Sequence, residues 1–282
     1  MKDSDQKNHS TKGSKKIDKR ILFNTLLVFG PIFLLVLLGS IFILKTQESL
    51  EIKLIKDVET SIVDNKLKNI EEEIGHVIHD LLILKSNRSI EKYWEFQNEE
   101  FVNDLSDEIL SIVEYQQVYD QCRIIDIHGV EVIRVNYNKG EPVLAPKNQL
   151  QNKADRYYFK DAIKLNKGEV FVSSMDLNIE NGEIELPLKP MIRIAAPIFD
   201  NDDEKKGIII FNFFGDRILH QLGDSTNSMV YSEVMLLNSK GYYLQGPSPE
   251  KEWGFMFDGK KDITFQYDLK NEWEEICDNE AS

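Results

Sequence analysis

The sequence predicts an α+β domain carried on an N-terminal membrane helix. Three observations predict it. Ile21 to Leu44 is a run of 24 residues without a charge, a helical stretch with a heptad seam follows it, and about five strand-like segments joined mainly by hairpin turns come after that. Helices first and antiparallel strands afterwards is the order of an α+β architecture, not of alternating βαβ units.

Taken as a helix, Ile21–Leu44 is about 36 Å long, enough to cross a hydrocarbon core of about 30 Å with some tilt. Gly30-Pro31 is a place where such a helix can kink, which membrane helices tolerate. A cleaved signal peptide is the competing reading. The run is long for its apolar core, however, and no Ala-x-Ala-like site closes it, so a retained anchor is predicted. Residues 1–20 carry seven Lys/Arg against three Asp and show no apolar periodicity, which predicts a disordered tail. The cluster Lys15-Lys16-Ile17-Asp18-Lys19-Arg20 precedes the helix and acidic sequence follows it. That bias places the tail in the cytoplasm and everything after Lys45 outside.

From Gln47 to about Ser86 the pattern is helical. Val63, Leu67, Ile70, Ile74, Val77, Leu81 and Leu84 repeat at spacings of four and three, a seam suited to pairing with a second helix, as in a homodimer, or to lying on a sheet. Asn98 to about Gln117 is a second helix, with Phe101, Leu105, Ile109, Ile112 and Val113 on one face. Gln121–Ile127 and Val130–Asn136 are strands separated by His128-Gly129, a hairpin signal. Residues 137–153 are polar and irregular. A short helix at Asp155–Ala162, a strand at Glu169–Ser174, a polar corner at Met175–Asn178 and an Asn181-Gly182 turn lead into strands Met191–Phe199 and Gly207–Phe213. Gly215–Gly223 reads as a connecting helix. Beyond it, Glu233–Asn238, Tyr242–Gln245 and Ile263–Tyr267 are three short strands, too few to bury a sizeable core unaided. The predicted division is a tail (1–20), a membrane helix (21–44), a stalk with its sheet lobe (45–222) and a partial second lobe (223–282).

Composition narrows the function. A net charge of −14, with −18 on the 262 residues after the tail, repels a phosphate backbone and argues against nucleic acid. The two cysteines, Cys122 and Cys277, exclude a disulfide-dense scaffold and a Cys-rich metal site, and are expected as separate thiols. There is no phosphate loop, no Gly-x-Ser-x-Gly and no His-Glu-x-x-His, so neither cofactor nor nucleophile–base pair is expected. Glu73, His76 and His79 have a spacing that can bind metal, but the seam places both histidines on the solvated face of the helix, and no metal site is predicted.

The informative stretch is Asp155–Arg193. In Met191–Phe199, Ile192, Ile194, Ala196 and Ile198 share one strand face, and Arg193 lies on the other between Met191 and Ala195. An enclosed arginine needs an anion, because an unpaired buried charge is costly. Arg134 poses the same question on another strand, and Arg156 does so on the helix. Two readings are open: internal pairing with Asp126, Asp176 or Glu180, or a grip on the carboxylate of a small ligand walled by Tyr158, Phe159 and Phe171.

Asp155-Arg156-Tyr157-Tyr158-Phe159, Val170-Phe171-Val172-Ser173, Asp176-Leu177-Asn178, Pro187 to Arg193, Ala195-Ala196-Pro197-Ile198-Phe199-Asp200 and Gly207 to Asn212 together resemble a double Cache sensor domain, the PAS-like extracytoplasmic module of bacterial transmembrane receptors. The wording Asp-Leu-Asn-x-Glu-x-Gly followed by Pro-x-x-Pro-x-x-Arg is most similar to the sensor-histidine-kinase branch; diguanylate cyclases and chemoreceptors share the module. The resemblance covers roughly residues 45–275 and implies a distal and a proximal lobe with a pocket for a small anionic or zwitterionic solute; with Arg134 added from the strand reading, the candidate pocket residues are Arg134, Arg156, Tyr158, Phe159, Phe171, Ser173, Asp176, Asn178 and Arg193. In relatives that sense amino acids, an Arg-x-Trp-Tyr motif grips the carboxylate. Arg156 matches its arginine, while Tyr158 stands for the tryptophan and Phe159 for the tyrosine, without its hydroxyl. Asp176 is a plausible partner for a cation. Such receptors continue through a second membrane helix into an output domain, so a chain ending at Ser282 reads as the sensory portion of a truncated receptor, itself without catalytic output. The rivals are a protein-docking module with a vestigial pocket and a membrane-anchored hydrolase, the latter without any catalytic constellation to support it.

Overall fold

The computed structural model describes residues 19–96, 98–138, 140–180, 182–223 and 234–280. Most of the basic tail and Asn181 lie outside the described residues. The chain divides into two units, residues 1–61 and 62–282. Helix α1 (Lys19–Lys85) runs unbroken through Pro31. Its Ile21–Leu44 stretch leaves every large apolar side chain exposed, and it is long and apolar enough to cross a membrane.

Within the second unit the seam on α1 changes character along its length. Val77, Leu81 and Leu84 are buried, whereas Val63 and Leu67 are 43% and 51% exposed. The upper seam packs with Leu105, Ile109 and Val113 of α3 (Glu99–Gln116) against one face of the sheet, so core packing accounts for that half. An unexpected helix, α2 (Arg88–Phe96), joins α1 to α3 and buries Ile90.

The sheet has seven strands where about five were expected. Strands β1 (Tyr119–Asp126), β2 (Glu131–Asn138) and β3 (Glu141–Leu144) form one side; β4 (Phe171–Val172), β5 (Asp176–Leu177), β8 (Pro190–Phe199) and β9 (Lys205–Phe214) form the other. The order is β3-β2-β1-β9-β8-β4, with β5 also on β8, and every pairing is antiparallel. The predicted irregular stretch 137–153 thus contributes β3, and the predicted strand 169–174 shrinks to two residues. The β1–β2 turn forms as expected. Asp126 Oδ1 accepts the N–H groups of His128 and Val130, and Gly129 adopts φ +83°, where a Cβ would lie 2.6 Å from the Ala154 backbone.

Helix α4 (Tyr157–Ala162) lies on the connection between the two sides, and the hairpin β6 (Ile179–Glu180)–β7 (Glu183–Ile184) lies between β5 and β8. Helix α5 (Asp216–Gly223) follows β9 and is tied to α1: Lys66 Nζ donates to the carbonyls of Gln221 and Leu222, and Glu73 accepts from Arg217 and Gln221. The last segment holds β10 (Leu236–Leu237), β11 (Tyr243–Gln245), α6 (Phe265–Asp268) and α7 (Lys270–Glu280). Here the expected strand Ile263–Tyr267 is wrong. Its alternating Ile263, Phe265 and Tyr267 imitate a strand, but Thr264 caps a helical turn by accepting the Tyr267 N–H at 3.2 Å. Leu244 and Trp253 join the main core, so this segment leans on the sheet lobe. Cys122 is buried and Cys277 exposed, both free.

Candidate ligand-binding site

Successive side chains of a strand point to opposite faces. The face toward α1 and α3 takes Cys122, Ile124, Ile194, Phe211 and Phe213. The opposite face therefore receives Arg123, Arg134, Arg193 and Asn212, with Arg123 opposite Arg134 and Arg193 opposite Asn212. Helix α4 covers this face. Phe159 and Ala162 pack with Ile125, Ala195, Ile208 and Ile210 in a second, smaller core.

Charges this enclosed need counterparts, and they find them. The Glu131 carboxylate, fully buried, lies 2.9 Å from Arg134, 3.8 Å from Arg123 and 4.0 Å from Lys153. It also accepts the Gln151 N–H at 3.0 Å. Arg123 donates to Asn212 Oδ1 at 2.6 Å and to the Tyr158 hydroxyl at 3.2 Å. Arg123, Arg156 and Arg193 all lie within 6 Å of the Tyr158 ring centre, a cation–π arrangement. Burial alone would raise the Tyr158 phenol, but Arg123, Lys153 and Arg156 together reverse this and lower it. Burial likewise holds Lys153 below the ordinary lysine range.

Beside this network is a cleft of about 240 Å³. Its floor is Asp120 and Gln121 of β1 with Arg134 and Asn136 of β2. One wall is Gln151 and Lys153, and the other is Glu180, Glu185 and Lys189 around the β6–β7 hairpin. Lys189 bridges Asp120 at 3.0 Å and Glu185 at 2.7 Å. Burial opposes its charge, but Glu185 and Asp120 outweigh burial and hold Lys189 above its usual range. Asp120 is raised by burial, with Lys189 only partly offsetting it. Two atoms at the cleft make no hydrogen bond within the protein: Asp120 Oδ2 and Arg134 Nε, on residues 5% and 8% exposed.

The residues expected from sequence fall in different places. Arg134 lines the cleft. Arg193 is paired internally: its guanidinium meets Asp176, the Tyr157 hydroxyl and Asn178 Oδ1, and its N–H reaches Ser173 Oγ at 2.8 Å. Pairing of Arg193 with Asp176 is one of the arrangements expected for it, and Ser173 and Asn178 belong to the same network. Tyr158 touches the arginine cluster, whereas Phe159 and Phe171 pack into the second core rather than walling the cleft. Arg156 stands at the N-cap of α4 without a side-chain capping bond, and its guanidinium lies 5.8 Å from the Tyr158 ring centre. Sequence reading missed Asp120, Arg123, Glu131, Lys153 and Lys189. Strand alternation in Gln121–Ile127 could have found Arg123, since it obeys the same rule that singled out Arg193. A wider cleft of about 440 Å³ lies beside α1, where Asp80 accepts from Tyr119 and Glu73 pairs with Arg217. His76 borders it and is exposed, as is His79. Among the described residues no group of three or more His, Cys, Asp or Glu is placed to hold a metal ion.

Comparison with known proteins fits this architecture. A domain of a sensory box/GGDEF family protein from Vibrio parahaemolyticus is 24% identical with a TM-score of 0.63, over 74% of this chain and 76% of that one. The extracellular domain of vpHK1S-Z8, described as a histidine kinase, gives 20% and 0.68 over 79% and 81%. The ligand-binding domain of the Campylobacter jejuni chemoreceptor Tlp3, in complex with L-norvaline, gives 13% and 0.53 over 70% and 73%. At these identities the likeness is one of fold. No match was found among the curated proteins. The model of the bacterial histidine kinase sensor domain matches residues 53–281. That span holds the upper stalk, the sheet and the charged cleft, and the chain belongs to the bacterial histidine kinase sensor domain family.

Proposed function

We propose that the chain is the extracytoplasmic sensing part of a bacterial transmembrane receptor of the histidine kinase type, and that the cleft between β1, β2 and the β6–β7 hairpin binds a small solute. Residues 21–44 anchor it, with the basic tail cytoplasmic as the Lys/Arg bias directs. The exposed lower seam around Val63 and Leu67 is the surface for a homodimer. The observation that carries the ligand reading is the pair of unused polar atoms at the cleft, the acceptor Asp120 Oδ2 and the donor Arg134 Nε. Buried polar atoms are ordinarily satisfied, so an enclosed acceptor and an enclosed donor in the lining of one polar cleft favour a guest whose entry shifts the lining enough to meet both. Lining charges of both signs favour a zwitterion over a simple anion. The neighbouring chemoreceptor domain with L-norvaline bound supports a small-molecule role for this fold.

A docking module with a vestigial pocket has one observation in its favour. Tyr158 and Phe159 are turned inward, and the Arg193 guanidinium is paired with Asp176, only its Nε lacking a hydrogen bond. The cleft beside them nevertheless stays open. The test is thermal melting of the full chain in detergent against a panel of carboxylate and amine metabolites. At one hundred times Kd a ligand adds about 2.7 kcal/mol, or about 5–10 °C for a domain of this size. A panel in which nothing shifts the melt, alongside capture of a binding protein by the same surface, would replace the solute reading with docking.

A further inference from the structure

Lys189, just before β8, joins two parts of the fold through its ammonium group. It reaches Asp120 on β1 at 3.0 Å and Glu185 after β7 at 2.7 Å. Asn178, at the foot of the hairpin, donates to Glu185 at 2.8 Å and so belongs to the same tie. One lysine thereby fastens residues 178–189 to the floor of the cleft. Asp120 is 5% exposed, and only one of its carboxylate oxygens is used: Oδ1 accepts from Lys189, while Oδ2 has no hydrogen-bond partner. A carboxylate offers about four lone-pair sites, so this enclosed one keeps acceptor capacity for a cation that takes the place of Lys189.

Building on the solute-binding reading, we propose that Asp120 is the seat for an ammonium group of the ligand, and that Lys189 is an internal competitor for that seat. The chemistry is selective. Two carboxylates, Asp120 and Glu185, converge on one ammonium position, and a primary amine reproduces the hydrogen bonds that Lys189 makes there. Arg134 and Lys153, at the other side of the cleft, receive the acceptor end of the guest. A ligand amine that takes Asp120 loosens Lys189 from β1 and releases the hairpin segment from its tether. Occupancy of the cleft is converted in this way into a change at residues 178–189. The tie between Arg193 and Asp176 holds β5 to β8 and touches the Lys189 tie only through Asn178, whose Oδ1 faces Arg193.

Calorimetry on the full chain in detergent tests this, with glycine, L-glutamine and ethanolamine as amine probes and succinate as an amine-free comparator. Lys189→Gln removes the competitor and is expected to bind the amine probes about threefold tighter or better, whereas Asp120→Asn weakens them by about tenfold or more and leaves succinate unchanged. If Lys189→Gln binds the amines more weakly, Lys189 is a ligand contact and the proposal is overturned. Amine probes that bind neither wild type nor Lys189→Gln at millimolar concentration overturn it too; succinate binding in that case leaves the sensor reading standing without an ammonium seat. Lys189→Met and a thermal melt check that each variant is folded. Hydrogen exchange of the wild-type chain saturated with the tightest amine probe is a second readout. Faster exchange over residues 178–189 is expected, and unchanged or slower exchange refutes the release.

Discussion

Glu131 is the residue on which the buried charge of the sheet face balances. Its carboxylate is fully enclosed and shared by Arg134 at 2.9 Å, Arg123 at 3.8 Å and Lys153 at 4.0 Å. Glu131→Gln keeps the shape and retains an acceptor for the Gln151 N–H, yet removes the negative charge. At an effective dielectric constant of about 20, a pair at 4 Å is worth about 4 kcal/mol before desolvation. Removing one partner of a buried ion pair is strongly destabilising, about 3–5 kcal/mol, because the remaining charge stays enclosed. Glu131→Gln is therefore expected to lose about 3–5 kcal/mol, which lowers the melting temperature by about 10 °C in a domain of this size. Urea titration of the full chain in detergent, followed by circular dichroism, reads the loss directly. The double variant Glu131→Gln/Arg134→Met is expected to recover part of it, because one of the stranded cations leaves with the carboxylate; the coupling should exceed about 0.5 kcal/mol. A single-variant loss below about 1 kcal/mol, or strict additivity in the double variant, would show that water reaches these cations and that the network is not the buried system described.

Two further outcomes follow from the packing of α1 and from the Lys189–Glu185 pair. Leu81, fully buried on α1, should cost about 2–5 kcal/mol as Leu81→Ala, while Leu67→Ala, at an exposed position, should leave the stability of a single chain nearly unchanged and weaken self-association measured by analytical ultracentrifugation. Equal losses at the two positions would erase the distinction between core seam and free seam. For pH, the Glu185 carboxyl is opposed by burial but lowered on balance by Lys189 and Asn178. Its folded value is therefore below its unfolded one, so its stabilisation is complete above the ordinary glutamate value of 4.5 and is lost as pH falls through the folded value. The stability difference between wild type and Glu185→Gln should be flat above about pH 5 and shrink below it; a difference that grows on acidification would reverse the sign argued for the Lys189–Glu185 pair.

Much of the fold could be read from local pattern. The uncharged run, the upper heptad seam, the His128-Gly129 turn and the two long strands β8 and β9 each announce themselves by periodicity or by a turn residue. The two-residue strands and the helical turn at Phe265 do not, because four or five residues fit both periods and a single cap, Thr264, decides between them. In the site, alternation correctly identified Arg193 as a buried charge that needs a partner, but alternation gives a facing direction and not a partner. Asp120 and Lys189 are 69 residues apart, and only the antiparallel return of β8 brings them together. The run Tyr157-Tyr158-Phe159 shows the same limit. Each residue of a helix turns by about 100°, so three adjacent aromatics cannot wall one pocket. Tyr157 is half-exposed, Tyr158 faces the arginines and Phe159 enters the core against Ile208 and Ile210.

A bulge between Tyr119 and Gln121 interrupts the alternation of β1 and turns two adjacent residues to opposite attachments. On β1, Asp120 faces the cleft and its neighbour Tyr119 faces the stalk, where its hydroxyl donates to Asp80 of α1 at 2.7 Å. Tyr119 is fully buried, and burial together with the Asp80 hydrogen bond raises its phenol well above the ordinary range, so it acts as a donor at any physiological pH. On β9, Asn212 holds Arg123 on the cleft side, and the same strand runs directly into α5, which Lys66 and Glu73 of α1 fasten to the stalk. A ligand moves a receptor only by its difference in affinity for two arrangements, and an interior packed to solid density passes small displacements on rather than absorbing them. The sheet supplies both attachments in one layer. A change in the charges that hold β1 on the cleft face bears, one residue away, on the hydrogen bond that holds β1 to the stalk.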